Sequence, residues 1–369
     1  MPSSNRSHSP ARGEDESTPP PNPEQDHQGS TIDIAGIKLA RRSGRGIRRL
    51  VTLCGTITQL VAEYDRHLLE SEPDGDGGDE GEDVDEHLTA ENREEIKRRR
   101  NRDYQSYLEL IKLIPALKAR IADPCEGSRM LYYAQLLDGA NNARSDDLSR
   151  AKSGIASLLN NRTNGAPNPP LDLDTRDGRG LQNDVTGRLL CPVVYDWDDS
   201  VIRDKLRDGI DDHNAFDDYW VRCLYEGETG DPEDVEKGFL KSNLLVKTFQ
   251  MIFTSPSSAR GNLDGEESPE AQGRRRKSPS KRPSVAAKLR MNGQVTAHVI
   301  AYAAVRLHFS LNDATHWISD YNGFNYEEFY EFIIDFFEED QTPEGKAATN
   351  ELFNWWNQYV WFSFYISHG

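Results

Sequence analysis

The sequence predicts a mainly α protein: a single irregular helical domain with a long disordered N-terminal arm and a disordered basic insert. Apolar residues recur at helical spacing in several long stretches, as in Phe239–Ala259. Hydrophobic residues make up only 36% of the 369 and charged residues 29%, which is typical of one globular region carrying long solvated segments. The most β-prone run, Leu189–Tyr195, contains Pro192, which restricts it to an extended or edge segment.

The composition divides the chain into six segments. Ser, Pro and charged residues dominate the first, carboxylates the third and basic residues the fifth. In order they are a disordered arm (1–31), an amphipathic helix with a basic start (32–70), an acidic linker (71–88), the first part of the helical domain (89–259), a disordered basic insert (260–293) and an aromatic-rich second part (294–369).

The amphipathic helix has apolar residues at helical spacing from Ile47 to Leu68. No acidic residue lies between Asp33 and Glu63, so the start of this helix is strongly basic. We interpret the basic residues as a solvated helix end, with contact to an anion or to nucleic acid as the alternative. They are Lys38, Arg41, Arg42, Arg45, Arg48 and Arg49.

The acidic linker carries nine carboxylates between Glu72 and Glu86 and no cation. A calcium-binding EF-hand loop would need a ligand where Gly78 stands and a glycine where Asp79 stands. The segment therefore indicates a flexible linker and not a calcium site.

Several helices are expected between the linker and the basic insert. A long one is predicted over Thr89–Asp123, with Thr89 as its N-cap and a kink at Pro115. Two shorter helices should follow, over Gly127–Leu137 and Asp146–Leu159. A further short helix is expected over Val201–Arg207, with Asp198 or Asp199 as its N-cap.

The apolar helix within Phe239–Ala259 should end near Thr254, because Pro256 disfavours helical backbone before it. We expect it to pair with a second apolar helix, Gln294–Leu311. One of its faces should then be buried against Val299, Ala303 or Leu307 of that second helix. The residues of this face are Leu244, Leu245, Thr248 and Ile252.

The last part of the chain is rich in aromatic residues: 16 of 33 lie between Tyr321 and Tyr365. Helices are predicted over Tyr326–Glu339 and Pro343–Phe362. Because the region from residue 310 onward has eleven acidic residues and only one basic residue, Lys346, its charge would repel the phosphates of a nucleic acid. The aromatic residues therefore indicate a packed core or a groove for a partner protein.

Motif searches find no catalytic constellation. GxSxG, HExxH and GK[ST] are missing, and Gly178 and Gly180 lack the third glycine of a dinucleotide fingerprint. His298 and His308 lie ten residues apart on one predicted helix, which favours packing or surface roles over metal binding. We therefore predict no catalytic residue and no cofactor, while an enzyme with scattered catalytic residues stays an alternative.

Metal binding and redox pairing are not indicated. None of the four cysteines forms a CxxC pair, which is typical of reduced thiols in an intracellular protein; they are Cys54, Cys125, Cys191 and Cys223. A run of aspartates raises a metal site as the alternative to a solvated face, which we favour. Its members are Asp208, Asp211, Asp212, Asp217 and Asp218.

The basic insert contains a candidate nuclear-import or nucleic-acid contact, with an ordinary loop as the alternative. Its residues are Arg274, Arg275, Arg276, Lys277, Lys281 and Arg282. Phosphorylation at Ser278 or Ser284 would lower the local positive charge. We predict an intracellular protein and favour the nucleus over the cytoplasm; no run of the sequence approaches the length of a membrane span.

Three motifs occur together: TGRLLCPVVYDWDD (Thr186–Asp199), NLLVKTFQMIFTSPSSA (Asn243–Ala259) and LFNWWNQYVW (Leu352–Trp361). The combination resembles an uncharacterised domain family, a domain of unknown function widespread in mushroom-forming fungi. The resemblance covers Tyr104–Trp361, interrupted by Arg260–Arg290. It implies an intracellular, mainly helical fungal domain and brings no established activity, so it assigns no functional residue.

Three functions remain in order of preference. The first is a non-enzymatic protein-interaction module whose partner is another protein. The second is a nuclear, nucleic-acid-associated protein, linked to mobile elements, that uses basic patches at Arg41–Arg49, Lys97–Arg102 and Arg274–Arg290. The third is an enzyme, which a pocket of converging polar groups near Asp196–Asp199 or His298 would support.

Overall fold

The structure is a computed structural model that describes residues 34–71, 89–209, 219–254, 259 and 283–366. This part of the chain is mainly helical, which confirms the predicted fold class, and it contains one two-stranded antiparallel sheet. The helices are α1 (Ile34–Gly44), α2 (Ile47–Leu50), α3 (Ile57–Ser71), α4 (Ala90–Leu113), α5 (Leu117–Ile121), α6 (Glu126–Asn160), α7 (Asp184–Leu190), α8 (Ser200–Asp208), α9 (Asn243–Phe249), α10 (Val285–Lys288), α11 (Ala297–Leu311), α12 (Tyr326–Glu338) and α13 (Pro343–Ile366); the strands are β1 (Asp320–Tyr321) and β2 (Phe324–Asn325).

Helix α11 forms the centre of the fold. All of its residues are buried except His298, which is partly exposed. It packs against α2, α6, α9 and α12, so apolar side chains are needed around its whole circumference. The predicted pairing of α9 with α11 is confirmed, because the two helices are in contact and the predicted face of α9 is buried: Leu244, Leu245, Thr248 and Ile252.

The end of the α9 region also agrees with the prediction. The Ser242 hydroxyl accepts a hydrogen bond from the Leu245 N–H and caps the start of α9. A π-helical turn, Gln250–Thr254, continues α9 and ends at the expected residue. The aromatic α13 contributes Trp356 to the core, where its Nε1 donates to the Leu240 carbonyl at 3.1 Å.

Helix α6 corrects the prediction of two shorter helices at Gly127–Leu137 and Asp146–Leu159, since one 35-residue helix covers both. Gly139, between the two predicted helices, serves the packing of α6 on α1. A Cβ at this position would lie 1.9 Å from the Arg41 carbonyl oxygen, so only glycine allows this close approach.

The amphipathic helix predicted over 32–70 is also wrong as a single element, because the chain forms α1, α2 and α3 there. The turn between α2 and α3 is held by the Thr52 hydroxyl, which accepts a hydrogen bond from the Gly55 N–H at 3.0 Å. This turn buries Val51 and Leu53, so the chain changes direction in order to place apolar residues in the core.

The predicted long helix after the acidic linker begins as expected and ends early. The Thr89 hydroxyl caps α4 by accepting from the Asn92 N–H at 3.2 Å. The helix breaks at Pro115 instead of kinking. A proline disfavours helical backbone in the residue before it, and Ile114 accordingly has φ −129° and ψ 75°, outside the helical region. The helix resumes as α5.

Other predicted features fall partly outside the described residues. Asp199 caps α8 as expected, with its carboxylate accepting from the Val201 N–H. Of the extended run at 189–195, the first two residues belong to α7, and Pro192 forms an isolated bridge with Val221. The arm, nearly all of the acidic linker and most of the basic insert lie outside the described residues. The end of the predicted insert is helical as α10 and buries Ala286, which corrects that boundary.

Candidate functional cleft

A cleft of about 310 Å³ opens between the α2–α3 turn and helices α4, α11 and α12, and we call it the seam cleft. It is built from segments that lie far apart in the sequence. Its lining residues are Val51, Thr52, Leu53, Cys54, Gly55, Gln59, Arg99, Arg102, Asp103, Ser106, His298, Glu327, Tyr330, Glu331 and Ile334.

Ion pairs between α4 and α12 close one side of the seam cleft. The guanidinium of Arg102 lies 3.5 Å from the Glu331 carboxylate and also pairs with Asp335. Farther out, Arg99 lies 3.7 Å from Glu327. Two of the basic residues in the predicted patch at 97–102 thus face carboxylates of this chain, while the other members are exposed: Lys97, Arg98 and Arg100.

The inner wall carries polar atoms that are buried without a partner. The Tyr330 hydroxyl and the Arg102 Nε–H have no hydrogen-bond partner among the described residues. The ring of His298 meets the Tyr330 ring edge to face, with centroids 6.2 Å apart. Tyr330 points inward because it belongs to the buried face of α12, a helix whose start is capped by the Asn325 side chain.

Burial sets the protonation of the wall. It raises the pKa of the Cys54 thiol and of the Tyr330 phenol, and it lowers the pKa of His298 to about 4. All three groups are therefore uncharged at neutral pH. Burial also raises the pKa of the carboxyl groups of Asp103 and Glu331. Glu331 faces Arg102 across the cleft, whereas Asp103 lies on the same helix as Arg99 and Arg102.

Three arginines at the basic start of the predicted N-terminal helix pair with aspartates of α6. Arg41 pairs with Asp138 at 2.9 Å, and Arg45 with Asp146 at 2.6 Å. Arg49 donates two hydrogen bonds of 2.7 Å to a buried aspartate on α6, Asp147. The interpretation as a solvated end is therefore wrong for the buried Arg49, whereas Arg41 and Arg42 are exposed and Arg45 is partly exposed beside its carboxylate.

The other predicted positions are scattered. Asp198 pairs with Arg188, and Asp196 accepts a hydrogen bond from the Asp198 N–H, so this stretch is held by local contacts. His308 is buried, 1% exposed, and stacks on Phe324, as a packing role predicts. Of the two candidate phosphorylation sites, Ser284 caps α10. The candidate import residues and Ser278 lie outside the described residues.

Within the described ranges, the chain shows neither a cluster of metal ligands nor a membrane span. No group of three or more His, Cys, Asp or Glu side chains there is arranged to hold a metal ion. No helix there combines the length and the apolar character of a membrane span. Four of the five aspartates considered as a metal site, all except Asp208, fall outside these residues.

The sequence does not predict that Arg102, Tyr330 and Cys54 lie together in one site. A signal for part of it exists, since the basic run on α4 and the carboxylates on α12 have complementary charges. That signal gives no register between the helices, and nothing in the sequence places the α2–α3 turn beside them.

The fold and the seam cleft together define a mainly helical protein with a polar cleft at the junction of its N-terminal helices and its core. A model of a family of unknown function (DUF6698) matches residues 138–361, more than half of the chain, so the chain belongs to this family. Neither a search of curated proteins nor a search of solved structures finds a match to the chain. Most residues of the cleft precede the matched segment, whereas His298 and the α12 residues lie within it.

Proposed function

We propose that this chain is a non-enzymatic protein-interaction module and that its seam cleft receives a segment of a partner protein. The unpartnered polar atoms of the wall carry this proposal. A buried hydroxyl or N–H without a hydrogen bond costs about 1–3 kcal/mol, and the cleft holds two such groups, on Tyr330 and Arg102. Both atoms are shielded from solvent in the unbound chain, so a backbone carbonyl or a carboxylate of an incoming peptide would accept from them once their side chains turn toward the cleft.

The protonation of the wall favours binding over catalysis. A nucleophilic cysteine needs the thiolate form, and a general base at neutral pH needs a pKa near 7. Burial instead keeps the Cys54 thiol protonated and the His298 imidazole neutral with a pKa of about 4. These groups suit hydrogen bonding and apolar contact with a peptide.

The charges favour a protein over a nucleic acid. The two arginines of the cleft, Arg99 and Arg102, already face carboxylates, and Asp103 adds another acidic group. A phosphate backbone would meet a balanced to acidic surface, which gives little electrostatic affinity. A peptide with both charged and apolar side chains matches the ion pairs at the rim and the apolar Val51, Leu53 and Ile334.

Photocrosslinking from inside the cleft tests this function. A photoreactive amino acid at Gln59, which lines the cleft, should give a specific adduct with a partner protein in a cell extract, whereas the same group at exposed Val201 on α8 should not. Tyr330→Phe should weaken the Gln59 adduct and also raise the free energy of unfolding by about 1 kcal/mol, because it removes an unpaired buried hydroxyl.

Tyr359→Phe is the matched control, because it removes the hydroxyl of a tyrosine that is 54% exposed on α13 and should change neither result. An adduct that is equally strong from Val201, or one that Tyr330→Phe leaves intact, would contradict the proposal. A cleft that takes a small molecule would give no cleft-specific protein adduct at all.

Localisation is a separate prediction that concerns the basic insert. We infer that the protein acts inside the cell and enters the nucleus by means of the run Arg274–Lys277. Changing these four residues to alanine should lower the nuclear fraction of the tagged full chain. Changing the exposed Lys97, Arg98 and Arg100 of α4 removes similar charge elsewhere and should leave the distribution unchanged. Equal distributions of the wild type and the insert variant would refute the import role.

A further inference from the structure

Four arginines converge where α2 and the middle of α6 pack against α11. We call Arg48, Arg49, Arg144 and Arg306 the arginine cluster. Arg306 is fully buried, and its Nε, Nη1 and Nη2 find no acceptor among the described residues. Its guanidinium lies between two rings, 4.5 Å from the centroid of Tyr302 and 4.3 Å from that of Trp317. The guanidinium of Arg144 lies 5.2 Å from the same Trp317 ring.

Among the side chains that the structure describes, the Asp147 carboxylate is the one that contacts the arginine cluster, and Arg49 is paired with it. Asp147 accepts two hydrogen bonds from Arg49 and a third from the Tyr302 hydroxyl at 2.9 Å. Arg48 donates to neutral oxygens, the Asn141 side chain and the Gly55 carbonyl. Within the described part of the chain, Arg48, Arg144 and Arg306 thus have no carboxylate of their own.

The three arginines without a carboxylate are close enough to repel each other. Burial and the charges of Arg306 and Arg48 lower the pKa of Arg144 to about 10. Arg306 and Arg48 also have their pKa lowered, chiefly by burial. The fold therefore concentrates positive charge at a place where the described part of the chain supplies too little negative charge.

Ring contacts alone do not balance this cost. A cation over an aromatic face gains about 2 kcal/mol when desolvated, whereas burying a charge with unpaired donors costs several kcal/mol. Natural proteins pair buried charges with counter-ions or hydrogen-bond acceptors. A ligand that supplies negative charge and several acceptor oxygens would satisfy the free N–H groups of Arg306.

We propose that the arginine cluster is a binding site for a phosphate-type oxyanion, held by Arg306 and Arg144 beside the Trp317 ring, with Arg48 as a third cation. A tetrahedral dianion fits better than a single carboxylate, because it offsets more than one positive charge and offers oxygens to several forked guanidinium groups. Arg144 and Trp317 are partly exposed, so the anion enters on their side. None of the four arginines lines the seam cleft, and the site does not rest on the proposed function.

Thermal unfolding of the full chain tests the site. Inorganic phosphate, pyrophosphate and adenosine monophosphate are each compared with chloride at equal ionic strength, so that general salt effects cancel. The wild type should gain roughly 5 °C in Tm near saturation. If inorganic phosphate by itself raises the Tm, the ligand of the site is a free oxyanion. If only adenosine monophosphate raises the Tm, the ligand is a phosphoester. Both results support the site.

Two variants and a control test whether the arginine cluster causes the rise in Tm with oxyanions. Arg306→Met should unfold at or above the wild-type Tm in chloride, because it removes an unpaired buried charge, and should lose the response to oxyanions. Arg144→Met, at a partly exposed position, should weaken that response. Arg42→Met removes an exposed arginine of α1 and should respond like the wild type.

The proposal is overturned if no oxyanion raises the wild-type Tm above chloride, or if Arg306→Met responds as strongly as the wild type. If Arg306→Met does not fold, calorimetric titration of the wild type and Arg144→Met with pyrophosphate replaces it. Equal affinity in those two proteins, or no heat of binding to the wild type, overturns the proposal as well.

Discussion

Asp147→Asn should lower the free energy of unfolding by about 3–5 kcal/mol, the usual cost of removing one partner of a buried ion pair. Asp147 is fully buried, and both of its oxygens accept from Arg49, which is itself 3% exposed. Asparagine keeps the shape but not the charge, so the Arg49 guanidinium would stay buried without compensation. Urea unfolding followed by tryptophan fluorescence measures the loss.

The neighbouring Asp146 supplies the control. Its carboxylate pairs with Arg45 at 2.6 Å, but both side chains are well exposed, so Asp146→Asn should cost less than about 1 kcal/mol. The double variant Arg49→Met with Asp147→Leu replaces the pair by apolar groups and should recover most of the stability lost in Asp147→Asn. A loss in Asp147→Asn no larger than that in Asp146→Asn would show that the buried pair does not stabilise the fold.

The same variant connects the buried pair to the arginine cluster. Asp147 acts as the counter-ion of these arginines, so removing its negative charge leaves more positive charge in the same place. If an oxyanion binds there, phosphate should stabilise Asp147→Asn by more than it stabilises the wild type. The carboxylate and the ligand would then act as alternative sources of negative charge for one buried region.

The fold was most predictable where one pattern determines one element. In α9 and α11 the apolar spacing predicts both the helices and their contact, because each has a face that must leave water. The caps at Thr89 and Asp199 follow from local hydrogen bonding and need no tertiary information. Such features depend on a few neighbouring residues, which a sequence displays directly.

Predictions failed where tertiary contacts decided the outcome. The two helices predicted over Gly127–Leu137 and Asp146–Leu159 form one helix, and Gly139 between them lets the Arg41 backbone approach α6. Arg49 looks like part of a solvated helix end until α6 places the buried Asp147 against it. The seam cleft is a stronger case, because Arg102 and its partner Asp335 are 233 residues apart.

Acid should destabilise the protein through His308, and His308→Phe should remove about 3 kcal/mol of that effect between pH 7 and pH 4. Burial lowers the pKa of His308 from an ordinary 6.5 to about 3. Between these two values the unfolded chain binds a proton at this residue and the folded chain does not, so stability falls as the pH falls. At about 1.36 kcal/mol per pKa unit, the drop over this window is about 3 kcal/mol.

The surroundings of His308 make phenylalanine a suitable replacement. Its ring stacks on Phe324 with centroids 3.9 Å apart, and its Nε2 has no partner among the described residues, so a phenyl ring keeps the stacking contact and removes an unpaired atom. The contact between Nδ1 and the Tyr326 hydroxyl is lost, but that hydroxyl still accepts from the Asn312 amide. Denaturant unfolding at several pH values should give His308→Phe a shallower slope than the wild type, while His316→Gln, which removes an exposed ring, keeps the wild-type slope. Parallel slopes for His308→Phe and the wild type would mean that His308 titrates alike in the folded and unfolded chain, contrary to its burial.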